Sequence, residues 1–175
     1  MMHTRPQQGF TLVETLVAIT IIALALVGPF YAVQQALNAS RSARDQLIAS
    51  SLAQEGVEYV RSIRDGNYLF NLRNPSATHS WLYGLDGTGG TRNCIAADCV
   101  VDAKQGTVNT NITPLYISSA NIYNQQGLGT VTPFTRKVRL TVISATEVRV
   151  TVTMTWMTRT VPYTTTVTET LNNWL

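Results

Sequence analysis

Cysteine and histidine are nearly missing from this chain: two of each occur in 175 residues, and His79 is the only histidine beyond the first ten positions. A structural zinc site closes with four Cys or His ligands, so Cys94, Cys99 and His79 together fall one short. Charged side chains make up only 13% of the chain and the formal charge is +3, too little on its own to imply a nucleic-acid partner. No H-E-x-x-H, nucleophile elbow or paired-carboxylate arrangement stands out. Enzyme activity is therefore not expected, and neither is a metal or cofactor.

What the chain does have is one apolar run, Phe10 to Val27, with a carboxylate, Glu14, inside its opening turns. A charge near the bilayer centre costs about 2.5–3.5 kcal/mol on insertion scales. Glu14 lies shallower than that, yet a simple anchor would still gain by losing it. A secretory signal would put a small-residue cleavage site after its apolar core, and Ala23 and Ala25 imitate one, but the run continues past them. A plain membrane anchor needs about 20 apolar residues, which Phe10 to Pro29 supplies. Neither reading explains Gly9 at the boundary or Glu14 inside it.

The string Gly9-Phe10-Thr11-Leu12-Val13-Glu14-Thr15 resembles the cleavage and methylation motif of type IV pilins and pseudopilins. That resemblance implies a cut between Gly9 and Phe10 by a prepilin peptidase, N-methylation of Phe10, and retention of Glu14 as the acid used in filament assembly. The short polar leader, Met1–Gln8 with Arg5, suits the same pattern.

From Phe10 to about Arg64 the sequence predicts one long helix, apolar on all faces at first. Gly28-Pro29 predicts a kink or a local loss of hydrogen bonding, because proline removes a donor and crowds the preceding turn. Beyond Gln34 the pattern turns amphipathic, with Leu37, Ala43, Leu47, Ile48, Leu52, Val60 and Ile63 on a stripe shared by Gly56. Arg41–Asp45, Arg61–Asp65 and Glu58–Arg61 have ion-pair spacing. Asp65-Gly66-Asn67 reads as the helix end.

Residues 66–130 hold eight of the eleven glycines and read as loops with short strands, least constrained at 84–90. That glycine run is no phosphate loop, since no Lys-Ser/Thr follows it. Asp86, Asp98 and Asp102 lack the ligand spacing of a calcium loop. Cys94 and Cys99 are expected to form a small disulfide loop, in keeping with an exported location. Free thiols are the alternative, because so short a loop gains little from closure.

The C-terminal third alternates with period two. Val138, Leu140 and Val142 form one apolar row, and Val148, Val150, Val152, Met154 and Trp156 form another. Keeping apolar opposite apolar predicts a three-residue loop, Ser144–Thr146. A second turn at Thr158-Arg159 leads to a third strand with Val161, Tyr163 and Val167 on the core side. Pro162 places that strand at an edge or a bulge. Arg136, Lys137, Arg139, Arg149 and Arg159 cluster on these strands, and the first four make a candidate basic surface, with ordinary solubility charges as the competing reading.

The expected fold is α+β and pilin-like: a long N-terminal helix, transmembrane in its first half, packed against a C-terminal antiparallel sheet of three to four strands. Its parts are a leader (1–9), a membrane or filament-core helix (10–33), an amphipathic half (34–65), a loop-rich region (66–130) and a β-meander (131–175). The stretch Leu52–Asp65 with the threonine-rich meander is similar, more loosely, to minor pilins of the pilus-modification type. The implied role is a structural subunit of a type IV pilus or related filament. The alternatives are a type II secretion pseudopilin, or a pilin-anchored module for DNA uptake or adhesion. Implied partners are a prepilin peptidase, other pilins or pseudopilins in a helical filament, the inner-membrane assembly platform and, before assembly, membrane lipid; nucleic acid is a minor alternative. The implied location is the bacterial cytoplasmic membrane, single-pass with the head outside, and then an extracellular or periplasmic filament.

Overall fold

The computed structural model describes residues 9–89, 93–103, 106–109 and 111–173. The chain divides between Ala43 and Arg44 into two units, and one helix, α1 (Leu12–Arg73), contributes to both. In the first unit every residue from 9 to 37 is exposed, including the whole apolar run. The helical backbone continues through Gly28 and Pro29. Proline has no amide hydrogen, so the Ala25 carbonyl lacks its usual intrahelical donor there.

In the second unit, the strands after α1 are β1 (Val100–Asp102), β2 (Thr107–Asn109), β3 (Pro114–Ile117), β4 (Tyr123–Asn124), β5 (Thr130–Ser144), β6 (Glu147–Thr158) and β7 (Val161–Asn172). β1 and β2 make a small hairpin, and the others form one antiparallel sheet in the order β4-β3-β5-β6-β7. The sheet therefore has five strands where three or four were expected. The two added ones are too short to show alternation in the sequence.

The core lies between the second half of α1 and one face of this sheet. Ala49, Leu52, Ala53, Val57 and Val60 of α1 meet Phe134, Val138, Leu140, Val150, Val152, Met154 and Trp156, all buried. Small residues line the contact so that backbone can approach backbone. A Cβ on Gly56 would stand 3.1 Å from Val152 Cγ1 and 3.2 Å from Arg136 Cδ. The buried line of α1 is 49-52-53-56-57-60-64-67, and it corrects the expected stripe. Leu47 points to solvent at 72% exposure, because it lies about 140° round the helix from Leu52.

The helix also runs two turns beyond the expected stop at Asp65-Gly66-Asn67. Asn67 is buried, and its Nδ2 donates to the Trp81 and Tyr83 carbonyls at 3.1 and 2.9 Å. A residue that would close a helix in isolation is here held by contacts fourteen and sixteen positions away. Pro75 follows shortly after the observed end.

The apolar rows of β5 and β6 pair as the parity required, Val138↔Val152, Leu140↔Val150 and Val142↔Val148. The loop that achieves this differs from expectation. It has two residues, Ala145-Thr146, and a bulge between Val142 and Ser144 absorbs the odd residue. Val142 itself is half exposed, although its partner Val148 is buried. The second turn is displaced by one position to Arg159-Thr160, with Arg159 at φ 60°. β7 is an edge strand, as Pro162 implied. On it Leu171 is buried and Val167 packs against the core, whereas Val161 and Tyr163 remain exposed. The outer face carries threonine pairs, Thr151↔Thr168, Thr153↔Thr166 and Thr155↔Thr164, which suit a face turned to water.

Candidate processing and assembly site

Gly9, Phe10 and Thr11 precede α1, and together with Glu14 they border an open hollow of about 560 Å³. Phe10 is 80% exposed, and both it and Gly9 lie outside the helix. Thr11 is the helix cap: its Oγ1 accepts from the Glu14 amide at 3.3 Å, and its carbonyl accepts from the Thr15 amide at 3.2 Å. The spacing Thr-x-x-Glu is that of a capping box. A carboxylate in the first turn also meets the positive end of the helix dipole. These are local reasons for Thr11 and Glu14 that hold in the chain by itself. They do not use up Glu14, because its side chain is exposed and no described cation pairs with it. Residues 1–8 of the expected leader lie outside the described residues.

In the second unit the candidate basic surface comes apart. Arg136 is 2% exposed and belongs to the core. Its guanidinium donates to the Leu52 carbonyl at 2.9 Å and the Val101 carbonyl at 2.7 Å, and pairs with Glu55 at 3.3 Å. Burial pushes this guanidinium down from its ordinary value, opposed by the charges of Glu55 and Asp102. Arg139 is tied to Asp98 at 3.4 Å. Lys137, Arg139 and Arg149 do share the face away from the helix, since they have the parity opposite to Val138 and Val150.

The other helix charges also choose partners that spacing alone does not reveal. Glu58–Arg61 forms at 2.6 Å, but Arg61 reaches across to Glu169 rather than to Asp65. Asp65 pairs with buried Arg64, and Asp45 accepts from the Thr158 hydroxyl. Each of these ties α1 to the edge of the sheet or to its own neighbour.

Cys94 and Cys99 form a disulfide. Both are fully buried, and the loop they close docks on β5 beside β3. Cys99 and Val138 exchange two backbone hydrogen bonds, and the Leu140 amide donates to the Cys94 carbonyl. The preceding glycine-rich run is less loose than its composition implied, because Leu85 is buried and its carbonyl accepts from the Cys94 amide. Residues 90–92 lie outside the described residues. His79 sits in a ring stack between Phe70 and Tyr83, with centroids at 4.1 and 3.8 Å. Asp86 accepts from Thr88, Asp98 pairs with Arg139, and Asp102 accepts from Gln125 and Gln126. Among the described residues no three His, Cys, Asp or Glu side chains gather as metal ligands would.

No curated protein and no solved structure matched the chain. Residues 4–28 match the family model described as "Prokaryotic N-terminal methylation motif". That match spans Gly9, Phe10 and Glu14 and stops at Gly28, so the head is outside it. The chain carries the processing motif of type IV pilin-like precursors on a helix apolar enough to enter a membrane, followed by an α+β head of pilin-like layout.

Proposed function

We propose that the protein is a structural subunit, a minor pilin, of a type IV pilus or related filament. The observation that carries this reading is the methylation motif joined to a helix whose apolar residues are exposed, with no partner among the described residues of its unit. Before assembly that surface is covered by lipid. In a filament it is covered by the same segments of other subunits, and lipid contacts are exchanged for protein contacts.

Glu14 then has a specific task. Cleavage after Gly9 creates a new amine on Phe10, a charge that enters a water-poor core during assembly. A buried charge without a partner is strongly destabilising, and pairing offsets much of that cost. The Glu14 carboxylate of one subunit meets the Phe10 amine of its neighbour and sets the stagger between them. Glu14→Ala is expected to insert in the membrane normally and to be incorporated poorly, read as the ratio of sheared filament to membrane pool. Normal incorporation would remove this role.

The internal, tight disulfide supports a minor rather than a major role, since many major pilins close a larger loop near the C-terminus. A nucleic-acid-binding role is less well supported than the sequence implied. Arg136 is withdrawn into the core and Arg139 is already paired.

A further inference from the structure

The head contains a polar cleft of about 600 Å³ that neither the core nor the filament role uses. Val100, Asp102, Val108 and Asn109 of the β1–β2 hairpin form one side, and Asn111, Gln125 and Gln126 contribute to the rest. Asp102 is 5% exposed, and its Oδ2 accepts from the Gln125 amide at 3.1 Å and from Gln126 Nε2 at 3.0 Å. The Gln125 side chain donates to the Thr113 carbonyl at 3.3 Å, while its Oε1 is buried with no described hydrogen-bond partner.

We propose that this cleft binds a neutral, polyhydroxylated ligand of one or two sugar rings. Its volume falls within the roughly 300–1,000 Å³ of small-molecule sites. Its lining, however, is richer in amides than such sites usually are, which disfavours an apolar ligand. Side-chain amides carry both a donor and an acceptor; with the Gln125 and Gln126 donors and the Asn109 acceptor already used, the Gln126 acceptor, the Asn109 donor and the Asn111 amide remain for neighbouring hydroxyls of a sugar. One carboxylate, Asp102, is the only ionisable group in the lining among the described residues, and it is held by Gln125 and Gln126. Asp102 Oδ2 already accepts two hydrogen bonds, and no second carboxylate stands in the lining among the described residues, so the ligand set of a cation site is not assembled there. Among the described residues no aromatic ring stands in the lining, so weak binding is expected. The proposal stands on the head alone and does not depend on the filament reading.

The test uses the full chain in a detergent without a sugar headgroup. Saturation-transfer NMR is run with glucose, galactose, N-acetylglucosamine and N-acetylgalactosamine, and calcium chloride is titrated in parallel. At least one sugar should give saturable transfer. Gln126→Ala and Asn109→Ala, which alter side chains at the cleft rather than in the core, should each weaken it about tenfold, the effect of one lost hydrogen bond. Unchanged circular dichroism establishes that each variant is folded. Transfer to none of these sugars, or transfer indifferent to both variants, overturns the proposal. So does calcium binding that disappears in Asp102→Asn while no sugar binds, which would make the cleft a cation site.

Discussion

The Arg136 guanidinium reaches from β5 across the core to the Leu52 carbonyl of α1, at 2.9 Å, and to the Val101 carbonyl of β1, at 2.7 Å. One side chain therefore joins the helix, the main sheet and the small hairpin. Glu55, 39% exposed at its side chain, partners it from the solvent side.

Removing Arg136 should be more damaging than removing its acid. Arg136→Ala strips two buried carbonyls of their donor, at about 1–3 kcal/mol for each group left unsatisfied, and opens a cavity besides. Glu55→Gln keeps an acceptor beside the guanidinium and leaves it its two carbonyls, and loss of the counter-charge should cost about 1.5–3 kcal/mol. Urea unfolding of the two variants gives the comparison. Equal losses would mean that the pair, rather than the carbonyl contacts, holds the helix.

Gly56 permits the close approach of α1 to β6, and its replacements should separate by size. Alanine gains about 1 kcal/mol of helix propensity, set against contacts of 3.1 and 3.2 Å to Val152 and Arg136. Gly56→Ala is thus expected to be near neutral, and Gly56→Leu to lose about 1–3 kcal/mol through overpacking. Thermal melts of the two variants decide it.

Tyr59 supplies a pH dependence. Burial first, and the Asp102 charge second, hold its phenol above the usual range. A raised folded-state value means stability that is complete below the unfolded value of about 10 and lost as pH rises through the folded value. The head should therefore weaken above about pH 10, and Tyr59→Phe should flatten that decline. The phenolate absorbance difference between the two proteins locates the transition.

The Cys94–Cys99 loop borders β5 where β3 has ended, so its loss should be felt locally. A loop this short is worth less than the roughly 3 kcal/mol of a fifteen-residue one. Cys94→Ala with Cys99→Ala should leave the head folded. Amide exchange should rise at Val138 and Leu140, which bond to the loop, and stay low at Val150 and Val152, which lie on the other side of β5.

Much of this was legible in the sequence for physical reasons. The apolar run, the Gly9–Glu14 string and the alternation of β5 and β6 are local patterns, and local patterns fix helix, strand and facing. Pro162 placed β7 at an edge because a missing amide is a local fact too. Arg136 was missed although its parity matches Phe134 and Val138, since the charge was weighed above the alternation. The signal was present and pointed inward. The helix end and the first hairpin loop were different cases. Asn67 is held by the Trp81 and Tyr83 carbonyls, fourteen and sixteen positions on, and the bulge near Ile143 is set by how β5 pairs with β6; neither leaves a periodicity or a turn residue to read in the sequence.

The processing of the N-terminus is the claim on which the rest of the function stands. The mass of the N-terminal peptide, from protein expressed in its native host, tests it directly. A peptide beginning at N-methylated Phe10 is the expected result. A peptide that keeps residues before Gly9 would contradict it, leaving a static anchor and an exported head without a filament.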